Sequence, residues 1–334
     1  MRFGLWLPSF AYRSGEREHM RRLHDVIVEA DQAGFDLWVI DHLLTAPALY
    51  GLSWLEPLSV LTYAAGITRR ARLGTGILVA PLRNPVLLAK EIASIDYLSG
   101  GRFILGVGTG WYAPEYEATG STIKERGSRT DELLDATRLL LSQANATYEG
   151  HHYRFDDVTL EPRPEKVPPI WISGGARVAD PDSPDVQVMA PKVLDRIAGS
   201  DGWISRSASD AEAIGRDWAQ IRAEVVRRRG EEGLLNFTFA HCNFIHAVDT
   251  NDESEALAAQ KPSFMEVMGD HRPFESMRRS YLLGTPEQQQ DRLREMRDLG
   301  CEYVILGPTT DDPAQIELIQ RLVLEPLESA RAGR

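Results

Sequence analysis

Cysteine is almost missing from this chain. Cys242 and Cys301 are the only two, and no metal-binding or redox spacing connects them. That excludes a disulfide scaffold or a thiolate zinc site and suits a reducing compartment. Positive charge is also short, with 37 Lys and Arg against 49 Asp and Glu and a formal net charge of −12. Such a balance argues against a nucleic-acid partner or an anionic membrane surface. No apolar run approaches membrane-spanning length, and Met1 to Phe10 is too short and too strand-like for a signal peptide, so a cytoplasmic protein is expected. The histidines lack HxH or HExxH spacing. His151-His152 falls in a hairpin pattern, and His241 and His246 lie on opposite faces of one strand. A barrel metallohydrolase is therefore not expected, and the glycine-flanked serine of an esterase elbow is absent too. Nothing reads as an internal linker.

What is present alternates between strand and helix signals. Strands are predicted at Arg2 to Leu7, Leu37 to Ile40, Leu73 to Val79, Phe103 to Val107, Ile170 to Ile172, Gly202 to Ile204, Asn236 to Ala247 and Tyr303 to Leu306. Helices are predicted over 16–33, 55–67, 130–143, 193–198, 211–229 and 314–327. Asn84-Pro85 starts another, with Asn as N-cap and Pro at the first helical position, and Thr285 to Gln288 is a capping box. Tyr148 to Val158 reads as a hairpin, 178–190 as a Pro- and Asp-rich loop, and 251–281 as irregular, with helical pieces, Pro and Gly. Repeated βα units of this number favour a single α/β (β/α)8 TIM barrel over residues 1–334, with insertions after several strands. Its site then sits at the strand C-termini.

Asp41-His42 closes the LWVI strand, a position for a hydrogen-bonding acid beside a proton-transfer group. Gly74-Thr75-Gly76-Ile77 places glycine inside a strand, which marks a bulge, a close backbone approach or a crowded barrel core. Gly106 to Trp111 (GVGTGW) resembles a dinucleotide fingerprint only superficially, because Trp111 to Pro114 reads as a loop and not as a helix opening. Trp111, Tyr112 and Tyr116 are aromatic wall or core. Ser173-Gly174-Gly175 after the IWI strand offers a hydroxyl and backbone N–H groups to a phosphate, and Gly202, Ser205 and Ser207 could complete that cup.

The stretch LGTGILVAPLRNPVLLAKEIASIDYLSGGRFILGVGTGWYAPEYEATG resembles the core of the luciferase-like monooxygenase superfamily. GLWLP, AGFDLWVIDHL, YRFDDVTLEPRP, PPIWISGG, DGWI and LLGTPEQQQDRLREMRDLGCEYVILGP resemble it too, in order, over nearly the whole chain. The resemblance implies an oxidoreductase barrel that holds FMN or the deazaflavin coenzyme F420. It assigns Asp41 to the ring or its side chain and His42 to proton exchange at the reactive face. Gly76-Ile77 becomes the bulge under the ring, which in many members is a cis peptide. Thr109, Gly110 and Tyr112 would line the cofactor, and Ser173, Gly174, Gly175 and Ser205 would hold its phosphate.

Two departures stand out. Deazaflavin-dependent sugar-phosphate dehydrogenases of this superfamily carry an acid where this chain has Trp111, and the loop from Arg177 to Ala190 is longer than the usual turn. The Asp41-His42 pair with GTGI and GVGTGW favours F420 and hydride transfer to or from a small organic substrate. FMN with oxygen chemistry is the alternative and implies a separate reductase. Arg83, Lys90, Arg126 and Arg129 are the basic candidates for an anionic cofactor tail. Further alternatives are a non-catalytic flavin-binding accessory protein and a flavin-free phosphate-binding isomerase or lyase. The resemblance also implies a lid over 251–281 and a homodimer.

Overall fold

A computed structural model of the chain describes residues 1–10, 18–46, 53–178, 187–269 and 273–332. Eight parallel strands close on themselves. They are β1 (Arg2–Trp6), β2 (Asp36–Val39), β3 in two pieces (Leu73–Thr75 and Leu78–Val79), β4 (Phe103–Gly108), β5 (Ile170–Ser173), β6 (Gly202–Ser205), β7 (Thr238–Ile245) and β8 (Tyr303–Pro308). Closure runs through β1 and β8, with Phe3 opposite Val304, and through β3 and β4, with Gly74 opposite Ile104. Each predicted strand is found within a residue or two. The runs are short and apolar because each strand is buried on both faces.

Alternation along the strands divides the core in two. In β7, Phe239 and Ile245 face the helices, whereas Ala240, Cys242 and Phe244 face the barrel interior. Outside, β1 to β8 pack on α1 (Glu18–Ala33), α2 (Pro57–Ile67), α3 (Pro85–Ser99), α5 (Arg126–Ser142), α6 (Pro191–Ala198), α7 (Ala211–Arg229) and α9 (Pro286–Asp298). Asn84 caps α3, its side chain accepting from the N–H groups of Val86 and Leu87. The Thr285–Gln288 capping box opens α9.

Inside, Trp38 stacks on Trp171 with centroids 5.2 Å apart, and its indole N–H donates to the Tyr303 hydroxyl at 2.8 Å. Tyr303 in turn donates to Asp36, which also binds Arg2 and Arg72. This plug fills the lower barrel and leaves the strand C-termini as the open end.

Three predictions change. Segment 251–281 holds the expected helical pieces but is more regular than expected: its largest part is one helix, α8 (Glu253–Met268), with Pro262 inside it. Phe264, Val267 and Met268 join the inner core cluster, so this segment covers the interior beside β7. Trp111 to Pro114 is not all loop, because a short helix α4 (Ala113–Ala118) begins there with Pro114 in its first turn. The hairpin Ala146–Glu149 with Arg154–Val158 follows α5 and not a strand, and its turn folds back so that His151 and His152 donate backbone N–H groups to Glu132. In the predicted 178–190 loop, residues 179–186 lie outside the described part. Its flanks Arg177–Val178 and Gln187–Val188 pair as antiparallel strands. Among the described residues no helix is long and apolar enough to cross a membrane.

Candidate active site

A cavity of about 500 Å³ opens at the strand C-termini. Its walls include Trp6, Asp41, His42, Gly76, Ile77, Gly110, Trp111, Ser173, Arg206 and Ser207, so residues from six strands or the loops after them converge on one space. Cys242, Phe244 and Tyr281 complete an apolar side. The volume is within the range of small-molecule and cofactor sites.

The acidic corner is built from β2 outward. Asp41 is buried, and its Oδ2 accepts from the Val79 N–H at 2.8 Å and from Arg83 Nη2 at 3.0 Å. Arg83 reaches the other way to Glu56 Oε1 at 2.8 Å, and Glu56 uses its second oxygen to cap α2 through the Ser59 N–H. Burial pushes the Asp41 carboxyl up, with Arg83 opposing it. Burial also pushes Glu56 up, but hydrogen bonds from Arg83 and Ser59 outweigh that and leave it below the usual range. A buried acid, a half-buried acid and one guanidinium form a closed chain, the arrangement that permits charge in a low-dielectric wall.

His42 follows Asp41 and is nearly buried. Its Nδ1 lies 3.4 Å from Oε1 of Glu115, a carboxylate on α4 that is only 1% exposed. The same oxygen accepts the backbone N–H groups of Leu43 at 2.9 Å and Leu44 at 3.2 Å. Glu115 therefore holds the turn after β2 and faces the imidazole. Trp54 and Trp111 each sit with ring centroids 5.8 Å from His42.

The Gly76-Ile77 peptide is cis, at the break between the two pieces of β3. The indole N–H of Trp6 donates to the Gly76 carbonyl at 2.8 Å. The glycines around it are required mainly by protein packing. A Cβ on Gly74 would fall 2.5 Å from Trp38, one on Gly108 would fall 2.6 Å from Ile77, and one on Gly110, where φ is +64°, would fall 2.6 Å from Val79. The crowded-core reading thus accounts for Gly74 and Gly108, while Gly76 and Gly110 also border the cavity.

The other sequence candidates divide. The Thr109 carbonyl accepts the Tyr116 hydroxyl, whose pKa burial pushes up to about 12. Tyr112 packs beside Trp111 at 5.5 Å and Thr109 lies behind Gly110, so both flank the lining. Ser173 borders the cavity, whereas the Gly174 carbonyl is taken by the Trp203 N–H at 2.9 Å. A Cβ on Gly175 would meet the Asp217 carboxylate at 2.3 Å, and Asp217 accepts the Ala176 N–H at 3.0 Å, so that amide is not open to a phosphate. Ser205 is a correction: it points to the outer face of β6, where its hydroxyl lies 2.7 Å from His241 Nδ1, and Ser207 borders the cavity in its place. Of the basic candidates, Arg129 pairs with Glu125 and Lys90 bonds the Glu161 carbonyl. Arg83 belongs to the acidic corner and Arg126 has no carboxylate partner among the described residues.

Sequence reading missed Glu115, Arg206 and the pairing of Arg83 with Asp41. For Glu115 a signal existed, since an acid directly after a helix-starting Pro sits in the first turn, where its side chain reaches back toward the site. Among the described residues, no group of three or more His, Cys, Asp or Glu is placed to hold a metal ion.

Comparison with known proteins agrees with this geometry. The F420-dependent glucose-6-phosphate dehydrogenase of Amycolatopsis mediterranei is 33% identical, with 95% of this chain and 97% of that one covered. The FMNH(2)-dependent dimethylsulfone monooxygenase of Pseudomonas fluorescens is 27% identical, with 83% and 79% covered. Among solved structures, an F420-dependent secondary alcohol dehydrogenase in complex with an F420-acetone adduct superposes with a TM-score of 0.77 at 18% identity, over 98% of both chains. The oxygenating constituent of 3,6-diketocamphane monooxygenase from Pseudomonas putida gives 0.70 at 18%, over 97% and 98%. These last two likenesses bear on the barrel alone. A family model for luciferase-like monooxygenases matches residues 1–303, and the chain belongs to that family of oxidoreductases.

Proposed function

We propose that this protein is an F420-dependent oxidoreductase that moves a hydride between the coenzyme and a small organic alcohol or carbonyl compound. The observation that carries the reading is His42, walled by Trp54 and Trp111 and backed by buried Glu115, at the mouth of the cavity that Gly76-Ile77 floors. When bound, F420 would supply the two-electron hydride acceptor or donor. The rest of the chemistry belongs to the chain. His42 takes the proton from a substrate hydroxyl as its carbon gives up hydride, and returns it to a carbonyl oxygen in the reverse direction. Glu115 fixes the turn that presents the imidazole. Asp41 stays anchored on Arg83 at the cavity wall, where it would help to hold the cofactor. Trp6, Phe244 and Tyr281 exclude water from the reacting face.

Full-length similarity to F420-dependent dehydrogenases at 33% identity supports this choice of cofactor. Glucose 6-phosphate is not the substrate we assign, because Trp111 occupies the place of the acid that those enzymes carry after GVGTG. The segment 251–281 is read as the cover of the site, through Tyr281. The FMN reading draws on the apolar side of the cavity and on the monooxygenase relative, and it would require a reductase partner.

Calorimetric titration with F420 and with FMN, each oxidised and reduced, tests the assignment. F420 binding in the low micromolar range, about −8 kcal/mol, with weaker FMN binding is expected. Exclusive binding of reduced FMN would replace the reading with a two-component monooxygenase. Binding to neither would remove both.

A further inference from the structure

Tyr281 closes the apolar side of the site cavity, and it comes from the segment after α8 and not from a barrel strand. Its ring centroid lies 6.1 Å from those of Phe244 and Phe264. The segment is tied to the barrel by polar contacts that lie outside the cavity. On the outer face of β7, Nδ2 of Asn243 donates to the Ser280 carbonyl at 2.8 Å. The same nitrogen lies 3.1 Å from Nε2 of His241, whose Nδ1 lies 2.7 Å from the Ser205 hydroxyl on β6. All three side chains are buried. The Ser280 hydroxyl donates to the Ala208 carbonyl, and Arg292 on α9 donates to the carbonyls of Arg278 and Arg279.

This geometry fixes the protons. A carbonyl at 2.8 Å needs a donor, so Asn243 must present its NH2 group and not its oxygen to Ser280. The second hydrogen of that group then meets His241 Nε2, which has to be the bare nitrogen, and the ring proton sits on Nδ1 toward Ser205. The Asn243 oxygen is left buried without a partner among the described residues, so the orientation is kept at a cost. A proton added at Nε2 would face the NH2 group donor to donor. The amide would then have to turn over and set its oxygen against the Ser280 carbonyl. We propose that Asn243 and His241 are positioning residues that hold the Tyr281 wall of the cavity in place through Ser280, and only while the imidazole is neutral. The tie does not depend on which coenzyme the cavity takes.

The charged groups around the pair come from each neighbouring element. Asp210 at the start of α7, Arg279 beside Ser280, and Arg292 and Glu295 on α9 line a small void of about 30 Å³ with His241 and Asn243. The Cys301 thiol, before β8, lies at the His241 backbone. Two acids offset two guanidinium groups, and burial holds the imidazole down to about 4. With the segment released, His241 would titrate near its ordinary value of about 6.5. Release is therefore favoured as pH falls through that window, by roughly tenfold per pH unit.

Hydrogen exchange read by mass spectrometry on the full chain, from about pH 7.5 to 4.5 and corrected for intrinsic rates, tests the tie. Peptides over 274–283 should exchange roughly tenfold faster per pH unit below about 6.5, while peptides over α3 change less. Asn243→Asp gives Ser280 no donor and draws a proton onto His241. Its 274–283 peptides should exchange at least about tenfold faster already at neutral pH. His241→Gln keeps an acceptor for the amide and a donor for Ser205 without titrating, so its response to pH should be flat. Protected α3 peptides establish that each variant is folded, and the wild-type series needs no variant. The two thiols report the cavity itself, since Cys242 borders it beside Tyr281 whereas Cys301 does not. In Asn243→Asp, alkylation of Cys242 by iodoacetamide should accelerate several-fold with Cys301 unchanged. Wild-type 274–283 and α3 peptides that speed up together as pH falls would overturn the tie, as would a His241→Gln protein that keeps the response. Faster exchange in Asn243→Asp with Cys242 no more reactive would overturn its role at the cavity. Neither measurement uses a coenzyme, so failure here is separate from failure of the F420 reading.

Discussion

The two sides of the barrel mouth treat charge in opposite ways. On the β2–β3 side the charged groups described at the site have partners from the chain: Asp41 with Arg83 and Val79, Arg83 with Glu56, Glu115 with the turn it holds. On the β5–β6 side Arg126 and Arg177 have none among the described residues. The first side is complete before anything binds, as a site that must hold a reacting atom in place has to be. The second keeps two guanidinium groups without a partner among the described residues. The two sides are thus built differently, and the difference can be attacked from either one.

The largest effect should come from His42→Ala. Turnover should fall by roughly two to four orders of magnitude, with cofactor affinity retained, since only proton exchange is removed. Steady-state rates on a panel of small alcohols and ketones, beside a binding titration, would check both halves. Asp41→Ala should cost about 3 kcal/mol of stability in urea unfolding, because it leaves the Arg83 guanidinium half-compensated in a buried wall. Adding Arg83→Met should recover part of that loss.

Beneath the cationic side, on the outer face of β6 and β7, His241 sets the pH window for any such measurement. Burial lowers its pKa to about 4. Unfolding lets it take up a proton at its ordinary value near 6.5, so the unfolded state binds more protons between those limits. Stability is then full above pH 6.5 and falls as pH drops toward 4, by up to about 3 kcal/mol. His241→Gln should flatten thermal melting over that range.

Glu115→Gln keeps an acceptor for Leu43 and Leu44 but removes the charge behind the imidazole. It should lower kcat about tenfold, or about 1.4 kcal/mol, with KM little changed. The smallest effect sharpens the contrast most. Arg177→Gln should leave the free protein as stable as the wild type or more stable by a few tenths of a kcal/mol, because like-charge repulsion is relieved. A loss there comparable to that of Asp41→Ala would erase the distinction between the two sides.

The barrel was legible because its strands are fully apolar runs ended by Pro, Gly or Asp, and because Asn84-Pro85 and Thr285 to Gln288 announce helix starts. The continuity of helix α8 was hidden for a physical reason. Its buried face includes Gln260 and Ser263, which break the apolar period, and Pro262 reads as an interruption. Gln260 is buried because it bonds the His246 and Gly284 carbonyls and the Gly284 N–H, a set of partners that no local pattern reveals. In the site, Asp41 and His42 stand out by their place at a strand end. Their partners Arg83 and Glu115 are 42 and 73 residues away and become neighbours only when the barrel closes. The glycines were visible, but sequence alone could not show that Gly74 yields space to Trp38 and not to a ligand.

The seven tryptophans are sorted by the same architecture. Trp6 and Trp111 border the cavity, Trp111 with 41% of its surface exposed, and Trp54 stands beside His42. Trp38 and Trp171 are sealed in the barrel plug, and Trp203 and Trp218 stack parallel on its outer side. Trp54 and Trp111, part-exposed at the mouth, are therefore open to a soluble quencher, whereas Trp38, Trp171 and Trp203 are buried and shielded from it. A flat chromophore entering the cavity would dim the first far more than the second, so the protein carries an optical reporter of its site together with an internal reference.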